Sequence, residues 1–392
     1  MDFRFTEEEE KFRQEVVDFF DKEMPPDWVE LGTVHAGDEE ELAFTRSLQK
    51  KMAQKGWLAM TWPKEYGGSE RTHMEEVILV EQMAYRGVPG WDVFGSGMLG
   101  PTMLKFGTEE QKKEFLPPIA RGELIWCEGF TEPGSGSDLA SLQTKAVEDG
   151  DDFVVNGQKV YSTDGHNADW IFFLARTDPD APKHRGISFM YADMKTPGIT
   201  VRPLINITNR LEFNEIYFDD VRVPKKNIVG EKNKGWAVAG ALLDFERSGV
   251  RYMAKAQRLL DDLMQFVKET ERGGKPLAHD PVIRQELGEL ATEVEVCRMF
   301  CYRIAWQQSK NLPGTYEASV SKVFGTELSL RVANAGMRIM GLYGQLEHGS
   351  KWAPIYGKME HQYLTNLGHL VEAGTSEVQR TIIGRTLGLP RD

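Results

Sequence analysis

Two stretches of this sequence carry the residue types that chemistry needs. The first is Phe130-Thr131-Glu132-Pro133-Gly134-Ser135-Gly136-Ser137-Asp138-Leu139, in which small residues, two glycines and several hydroxyls crowd together. Such a run lets the backbone approach a phosphate and donate N–H groups to it. It lacks the third glycine of the dinucleotide fingerprint, and no alternation of strands and helices surrounds it. Taken alone, a polar surface turn explains the run too, and such turns are the commoner case. The second is Glu246. From Gly235 onward Ala239, Leu242, Leu243, Glu246, Val250 and Met253 recur at spacings of three and four, so Glu246 falls inside the apolar stripe of a helix. A carboxylate there must either pair with a cation or titrate with a raised pKa, and a raised pKa is what a general base uses. Pairing with Arg247 or Arg251 is the plainer alternative.

The elements that must position these residues change character twice along the chain. Residues 6–125 read as helices, with apolar residues at helical spacing in Glu8–Lys22, Asp38–Lys55 and Met74–Tyr85, broken by loops such as Trp62-Pro63-Lys64-Glu65-Tyr66-Gly67-Gly68. Short apolar runs follow, including Phe153-Val154-Val155, Trp170-Ile171-Phe172-Phe173-Leu174 and Ile187-Ser188-Phe189-Met190-Tyr191, separated by turn signals such as Asn156-Gly157 and Thr196-Pro197-Gly198. That is the pattern of an antiparallel sheet. The helical period returns from about Gly235 and runs to Gly388. The expected class is α+β, with a helical domain over 1–125, a central antiparallel β domain over 126–234 and a helical bundle over 235–392.

Several motifs, in order, resemble the acyl-CoA dehydrogenase family. They are Gly107-Thr108-Glu109-Glu110-Gln111, the Thr131–Asp138 run, Val155-Asn156-Gly157-Gln158-Lys159-Val160-Tyr161-Ser162-Thr163, Phe218-Asp219-Asp220-Val221-Arg222-Val223-Pro224 and Gly374-Thr375-Ser376-Glu377-Val378-Gln379-Arg380. The resemblance implies a four-helix C-terminal domain that usually builds a tetramer, and non-covalent FAD between the β domain and the C-terminal helices. It implies that Phe130 and Thr131 meet the flavin ring, with Gly136 in the same cofactor run. Ser137 would meet the phosphate and pantetheine region, Tyr161 would pack near the isoalloxazine, and Thr163 would bond its N5. Thr375 and Glu377 would lie at a cofactor-binding helix N-terminus, where Thr375-Ser376 also reads as a cap.

Many family members carry their catalytic glutamate just before the Gly-Thr-Ser motif, where this chain has Ala373. The isovaleryl-CoA dehydrogenase branch places it earlier, in a run similar to Leu243-Asp244-Phe245-Glu246-Arg247. The resemblance therefore makes Glu246 the base, with Asp244 and Arg247 toward CoA. Glu372 is the rival, one residue from the usual position. The Ala373 N–H would help polarise the thioester carbonyl. The implied reaction is α,β-dehydrogenation to a 2-enoyl-CoA, with electrons leaving to an electron-transfer flavoprotein or similar acceptor. A base on another helix points to a branched, cyclic or bulky acyl group. Two stretches depart from the family. The arginine-containing FAD-binding stretch reads Thr270-Glu271-Arg272-Gly273-Gly274-Lys275, where Arg272 is the substitute donor. The usual Gln-x-x-Gly-Gly segment reads Arg338-Ile339-Met340-Gly341-Leu342. These departures leave a homotetramer and a mixed tetramer both open.

Composition limits the alternatives. With 392 residues and a net charge of −13, the chain is large enough for an extensive core and poorly suited to nucleic acid or an anionic membrane surface. Its acidic start does not read as a signal peptide, and no run of about 18 apolar residues predicts membrane insertion. Three cysteines, Cys127, Cys297 and Cys301, suit a reducing, cytoplasmic setting. Cys297 and Cys301, one helical turn apart, read as core residues, and the eight histidines show no zinc spacing. The competing functions are a flavin- and oxygen-dependent oxidase or hydroxylase of the same fold, and a non-catalytic partner subunit of a mixed dehydrogenase.

Overall fold

The computed structural model describes residues 4–26, 28, 39–245, 249–310, 312 and 316–390. Two compact units are interleaved in sequence: Met1–Glu41, Arg71–Gly90 and Arg247–Asp392 make one, and Leu42–Glu70 with Trp91–Glu246 make the other.

In the first unit, α1 (Glu7–Glu23) starts on a capping box in which Thr6 accepts from the Glu9 N–H, and four glutamates fill its first turn. The helix α2 (Glu39–Gln54) runs from this unit into the other, and α3 (His73–Arg86) begins on the same kind of box at Thr72 and Glu75. The C-terminal helices are α7 (Val250–Glu269), α8 (Pro281–Ser309), α9 (Tyr316–Met340), α10 (Lys358–His369) and α11 (Ser376–Thr386). The hub is α9, which packs against α7, α8, α10 and α11. Its buried face includes Ala318, Ser319, Ser321, Gly325, Ala333 and Gly336, small residues that let neighbouring helices come close. Cys297 and Cys301 lie buried and free in α8.

In the second unit, α4 (Gly100–Phe106) and α5 (Glu109–Ala120) precede a seven-stranded sheet. The strands are β1 (Trp126–Gly129), β2 (Lys145–Asp149), β3 (Asp152–Lys159), β4 (Trp170–Arg176), β5 (Ile187–Asp193), β6 (Ile199–Ile205) and β7 (Leu211–Pro224). Their order is β1-β4-β2-β3-β7-β6, with β5 also on β4. The alternating pattern predicts antiparallel pairing, and β2·β3, β3·β7, β4·β5 and β6·β7 obey it. The β1·β4 and β2·β4 ladders are parallel. Local turns reveal hairpins, whereas the parallel neighbours are joined by long crossovers that no turn residue announces.

Why β4 is apolar throughout is now plain. Phe172 and Leu174 enter one core with Trp126, Phe130, Phe189, Tyr191 and Leu242, while Ile171, Phe173 and Ala175 enter another with Met190, Phe218 and Val221. A strand buried on both faces has no polar side to alternate with. The helix α6 (Gly235–Phe245) closes the first of these cores with Val238, Ala239 and Leu242. It can pack on β5 because its first residue is glycine: a Cβ on Gly235 would lie 2.3 Å from the Phe189 nitrogen. Among the described residues, no helix is long and apolar enough to cross a membrane.

Candidate functional site

The strand-rich unit joins two of the predicted segments into one rim. After β1 the chain leaves the sheet at Phe130, which is buried against Phe172 and Phe189. After β3 it leaves again at Val160, whose N–H donates to the Thr131 carbonyl at 2.9 Å. Phe130-Thr131 and Tyr161-Ser162-Thr163 are thereby set side by side. The second segment is pinned to β7: the Ser162 N–H donates to the Asn214 carbonyl (3.1 Å), the Asn214 amide donates to the Ser162 carbonyl (2.9 Å), and the Asp164 N–H donates to the Glu212 carbonyl (2.9 Å). Tyr161 and Asp164 both take left-handed backbone (φ 62° and 53°), a costly choice for non-glycine residues that concentrates at functional sites. The Tyr161 ring stays 62% exposed, with Phe213 at its edge.

Behind the rim lies an ion pair. Lys159 is fully buried and donates to Glu132 Oε1 at 2.7 Å and to the Phe130 carbonyl at 3.3 Å. Glu132, 6% exposed, also accepts from the Gln143 N–H (2.5 Å) and the Thr144 N–H (3.0 Å). Burial pulls the Lys159 ammonium down to about 8, against the opposing pull of Glu132. Burial works to raise Glu132, and the charge of Lys159 with the hydrogen bonds outweighs it, leaving the carboxyl below its ordinary value. Both residues stand in the sequence motifs without an assigned role. The available signal was parity: Phe153, Val155 and Lys159 share the odd, inward positions of β3, so a lysine there needs an anionic partner.

Of the other residues of the 130–138 run, Ser135 is buried, its hydroxyl donating to the Asp138 and Leu139 carbonyls (both 3.1 Å), and the rest face outward. Gly136 and Ser137 are exposed, as is Asp138, which holds Ser141 (2.6 Å) and Lys183 (2.5 Å). A Cβ on Gly134 would meet nothing within 4 Å. The hydroxyls of Thr131, Ser137 and Thr163 make no hydrogen bond with the described residues, whereas most other threonines of this unit do. Unpartnered hydroxyls on a pinned rim, beside an exposed aromatic ring and an open glycine turn, suit a large, flat, polar-edged ring carrying a phosphate chain. A flavin nucleotide has that chemistry.

Glu246 and Arg247 lie outside the described residues, and of Asp244 only the backbone, in the last turn of α6, is described. The stripe predicted for that helix is present only in part. Ala239 and Leu242 are buried and Leu243 packs against the same core, but α6 ends at Phe245. Val250 and Met253, expected on the same helix, belong to α7, which starts after Gly249 in left-handed backbone (φ 71°). Elsewhere in this unit Asp92 has its pKa raised to about 6 by burial. It already accepts from the Gly95 N–H, the Ser96 N–H and the Ser96 hydroxyl, capping the π-turn at Val93–Leu99, so it is committed to structure.

In the helical unit, Glu372, Ala373 and Gly374 form a sharp turn before α11. Ala373 and Gly374 both have positive φ (50° and 82°). The turn is fixed from four sides: Ser376 N–H to the Leu370 carbonyl (3.1 Å), Gln379 amide to the Ala373 carbonyl (2.8 Å), Lys322 to the His369 carbonyl (3.0 Å), and the Thr375 cap on the Val378 N–H. The Ala373 N–H has no acceptor among the described residues. Glu372 accepts from the Tyr252 hydroxyl (2.8 Å) and pairs with His369 Nδ1 (2.7 Å). Burial opposes its ionisation, but His369, Tyr252 and Arg251 prevail and hold the carboxyl far below the usual range. Glu377 is exposed in the first turn of α11, its carboxyl held low by its own N–H and the Thr375 hydroxyl. Arg272 sits at a two-glycine hairpin turn (Gly273 φ 62°, Gly274 φ 74°) and donates to the Ile339 carbonyl at 3.0 Å in the last turn of α9. That uses one of its five N–H groups. No cluster of three or more His, Cys, Asp or Glu residues suited to a metal occurs among the described residues.

Comparison with known proteins agrees with this geometry. Residues 6–123, 127–221 and 233–388 match the N-terminal, middle and C-terminal domains of acyl-CoA dehydrogenase. The chain is 35% identical to acyl-CoA dehydrogenase FadE26 of Mycobacterium tuberculosis, over 100% of this chain and 99% of that one. It superposes on a chain of the ChsE4-ChsE5 complex from Mycobacterium tuberculosis with a TM-score of 0.90 and 34% identity, covering 100% of both chains. A chain described as the Tcur3481-Tcur3483 steroid ACAD gives a TM-score of 0.90 at 31% identity, again covering 100% of both. The chain belongs to the acyl-CoA dehydrogenase family, FAD-dependent oxidoreductases that act on the CH–CH bond of acyl-CoA thioesters.

Proposed function

We propose that this chain dehydrogenates a branched, cyclic or otherwise bulky acyl-CoA, with Glu246 as the base that removes the α-proton. The observation that carries this reading is the turn at Glu372–Ala373. The position before Gly-Thr-Ser has no carboxylate, and the neighbouring Glu372 is bound by Tyr252 and His369. A carboxylate held that far below its ordinary range is a weak base for a weakly acidic α-carbon. Glu246 is the next residue in sequence after α6, whose residues Ala239 and Leu242 are buried. Its sequence spacing from them is the one that would bring a carboxylate toward apolar surroundings, where desolvation raises basicity.

The remaining roles follow from donors left over by the fold. The open N–H of Ala373 suits the thioester oxygen, where it would stabilise the enolate-like charge that grows as Glu246 takes the proton. Thr131 and Thr163 offer hydroxyls, and Phe130 and Tyr161 offer ring faces, to FAD, with Gly136, Ser137 and Thr375 serving its phosphates or those of CoA. Glu377, which can only accept, meets a hydroxyl or amino donor of the cofactor. Arg272 retains N–H groups for a cofactor contact, and Asp244 and Arg247 flank the base on the CoA side. FAD, when bound, supplies the acceptor for the β-hydride. Electrons then pass to an electron-transfer flavoprotein or a similar acceptor. The bulky acyl group is favoured by the earlier placement of the base and by the relative described as a steroid enzyme. A second reading, a subunit of a mixed tetramer, is favoured by the two-chain description of the ChsE4-ChsE5 complex.

The test is anaerobic titration of the purified yellow protein with straight-chain, branched, cyclic and polycyclic acyl-CoA thioesters, beside Glu246→Gln. Bleaching by the bulky classes, slowed by about 10³-fold or more in the variant, is the expected result for loss of a positioned base. Equal bleaching by the variant would return the base to Glu372. A chain that holds flavin only when co-expressed with a second subunit would establish the mixed assembly.

A further inference from the structure

We infer that Lys159 and Glu132 are positioning residues: a buried clamp that sets the Thr131 and Thr163 hydroxyls at the spacing the flavin requires. The inference rests on the reading of those hydroxyls as flavin contacts, and it assigns a purpose to two charges that touch neither cofactor nor substrate.

The geometry argues for positioning over mere stability. Removing two charges from water costs so much that a buried pair commonly adds nothing over apolar residues of the same shape. What such a pair does supply is directionality, because each hydrogen bond fixes one specific atom. Lys159 ends β3 one residue before Val160, whose N–H holds the Thr131 carbonyl. Its ammonium reaches across to the Phe130 carbonyl and the Glu132 carboxylate, the two residues flanking Thr131. Thr131 is thus gripped on three consecutive residues from the strand that leads to Thr163. Glu132 spends its remaining lone pairs on the Gln143 and Thr144 N–H groups, which lock the loop from the other side.

That loop comes close only because β3 carries Gly157, where a Cβ would lie 2.4 Å from the Thr144 hydroxyl and 2.7 Å from its Cα. The ladder to β7 is irregular at this point, between Val155 and Gly157. One further charge stands near the carboxylate, Arg176 on β4, and its guanidinium is taken by the carbonyls of Ala140, Lys183 and Arg185. Lys159 is the cation hydrogen-bonded to Glu132, with Arg176 acting on it only through space, and removing either member of the pair alone strands the other's hydrogen bond.

The experiment replaces both charges together, Glu132→Gln with Lys159→Met, so that no ion is left unpaired. FAD affinity is read by flavin fluorescence on reconstituted apoprotein, together with the shape of the visible flavin band, without substrate. The expected result is a folded protein with unchanged far-UV circular dichroism, FAD binding weakened about tenfold, as for one or two misaligned hydrogen bonds, and an altered band. Lys159→Arg, which keeps the charge but not the reach, should fall between wild type and the double variant, and serves if the double variant does not fold. Wild-type FAD affinity and band shape in whichever of the two variants folds would overturn the inference. The readouts separate it from the functional reading. A wild-type protein that binds FAD but is bleached by no thioester loses the proposed substrate and leaves the clamp to be judged by affinity. A wild-type protein that takes up no FAD removes both.

Discussion

The rim at Thr131 and Thr163 and the turn at Glu372–Gly374 face the same problem and solve it by opposite means. Each must hold donors unsatisfied, the hydroxyls in one case and the Ala373 N–H in the other, against a fold that tends to pair every polar group. The rim does so from within, with a fully buried ammonium and a buried carboxylate bonded to three separate segments. The turn does so chiefly through its own backbone, with two consecutive positive φ values whose flanking carbonyls are capped by the buried Gln379 amide and Lys322 ammonium. Its ion pair, His369–Glu372, lies partly exposed. Interior charges hold distant segments in register but make the arrangement fragile. A local turn costs little and fails softly. The two regions should therefore respond very differently to equally small changes.

The largest effect belongs to the rim. Glu132→Ala leaves the Lys159 ammonium buried with only the Phe130 carbonyl, and strands the Gln143 and Thr144 N–H groups. Breaking one side of a buried pair costs about 3–5 kcal/mol, whereas the double replacement that neutralises both should stay within about 1–2 kcal/mol of wild type. Urea unfolding of the two variants side by side makes the comparison. Equal losses would mean that the pair is an ordinary stabilising contact and that the contrast with the turn is false.

Removing charge from the turn is expected to cost much less. Glu372 is held below its ordinary pKa in the fold, so it binds protons less readily there than in the unfolded chain. Its contribution is present above the ordinary carboxylate value, near 4.5, and is lost as the pH falls toward the lower folded value. The side chain is 42% exposed, so solvent screening limits the whole effect to roughly 1 kcal/mol. The melting temperature of Glu372→Gln should lie slightly below wild type at pH 6 and converge on it as the pH drops from 5 to about 3. A gap that stays constant over that range would show that the carboxylate's charge contributes nothing.

The contrast also explains how much could be read in advance. The three successive regions, the helices near 8–22, 39–54 and 74–85, and the strands of β3, β4 and β5 were visible because each depends on local period and turn residues. The rim residues were visible as motif members, and the missing base at Ala373 was visible as a single letter. The parallel neighbours of β4 were not, since they join segments about thirty to forty-five residues apart. Nor was the clamp, because Lys159 and Glu132 are 27 residues apart and only the strand register turns the lysine inward. The partners of Glu372 show the same limit. His369 is close in sequence, but Tyr252 comes from 120 residues away. Sequence pointed to the unpaired donors of the rim and the turn more readily than to the atoms that hold them still.

The smallest predicted effect tests whether the turn is held by its surroundings or merely tolerated. Ala373 sits at φ 50°, where a Cβ crowds the following carbonyl, and glycine would adopt that backbone without the clash. In an unconstrained loop Ala373→Gly would gain nothing, because alanine would relax and glycine would add disorder to the unfolded chain. Here the Gln379 amide holds the Ala373 carbonyl, and the Ser376 N–H closes the turn onto Leu370, so the strain cannot relax. Relief of that strain, less the entropy that glycine adds, should leave a gain of about 0.5–1 kcal/mol. In a protein of this size that appears as a rise in melting temperature of only about 1–2 °C, so a chemical denaturation midpoint is the sharper measurement. Gln379→Ala should abolish the gain by freeing the carbonyl. If Ala373→Gly is destabilising while Gln379 is intact, the turn is not the rigid local device that separates it from the rim, and its open N–H owes its direction to something else.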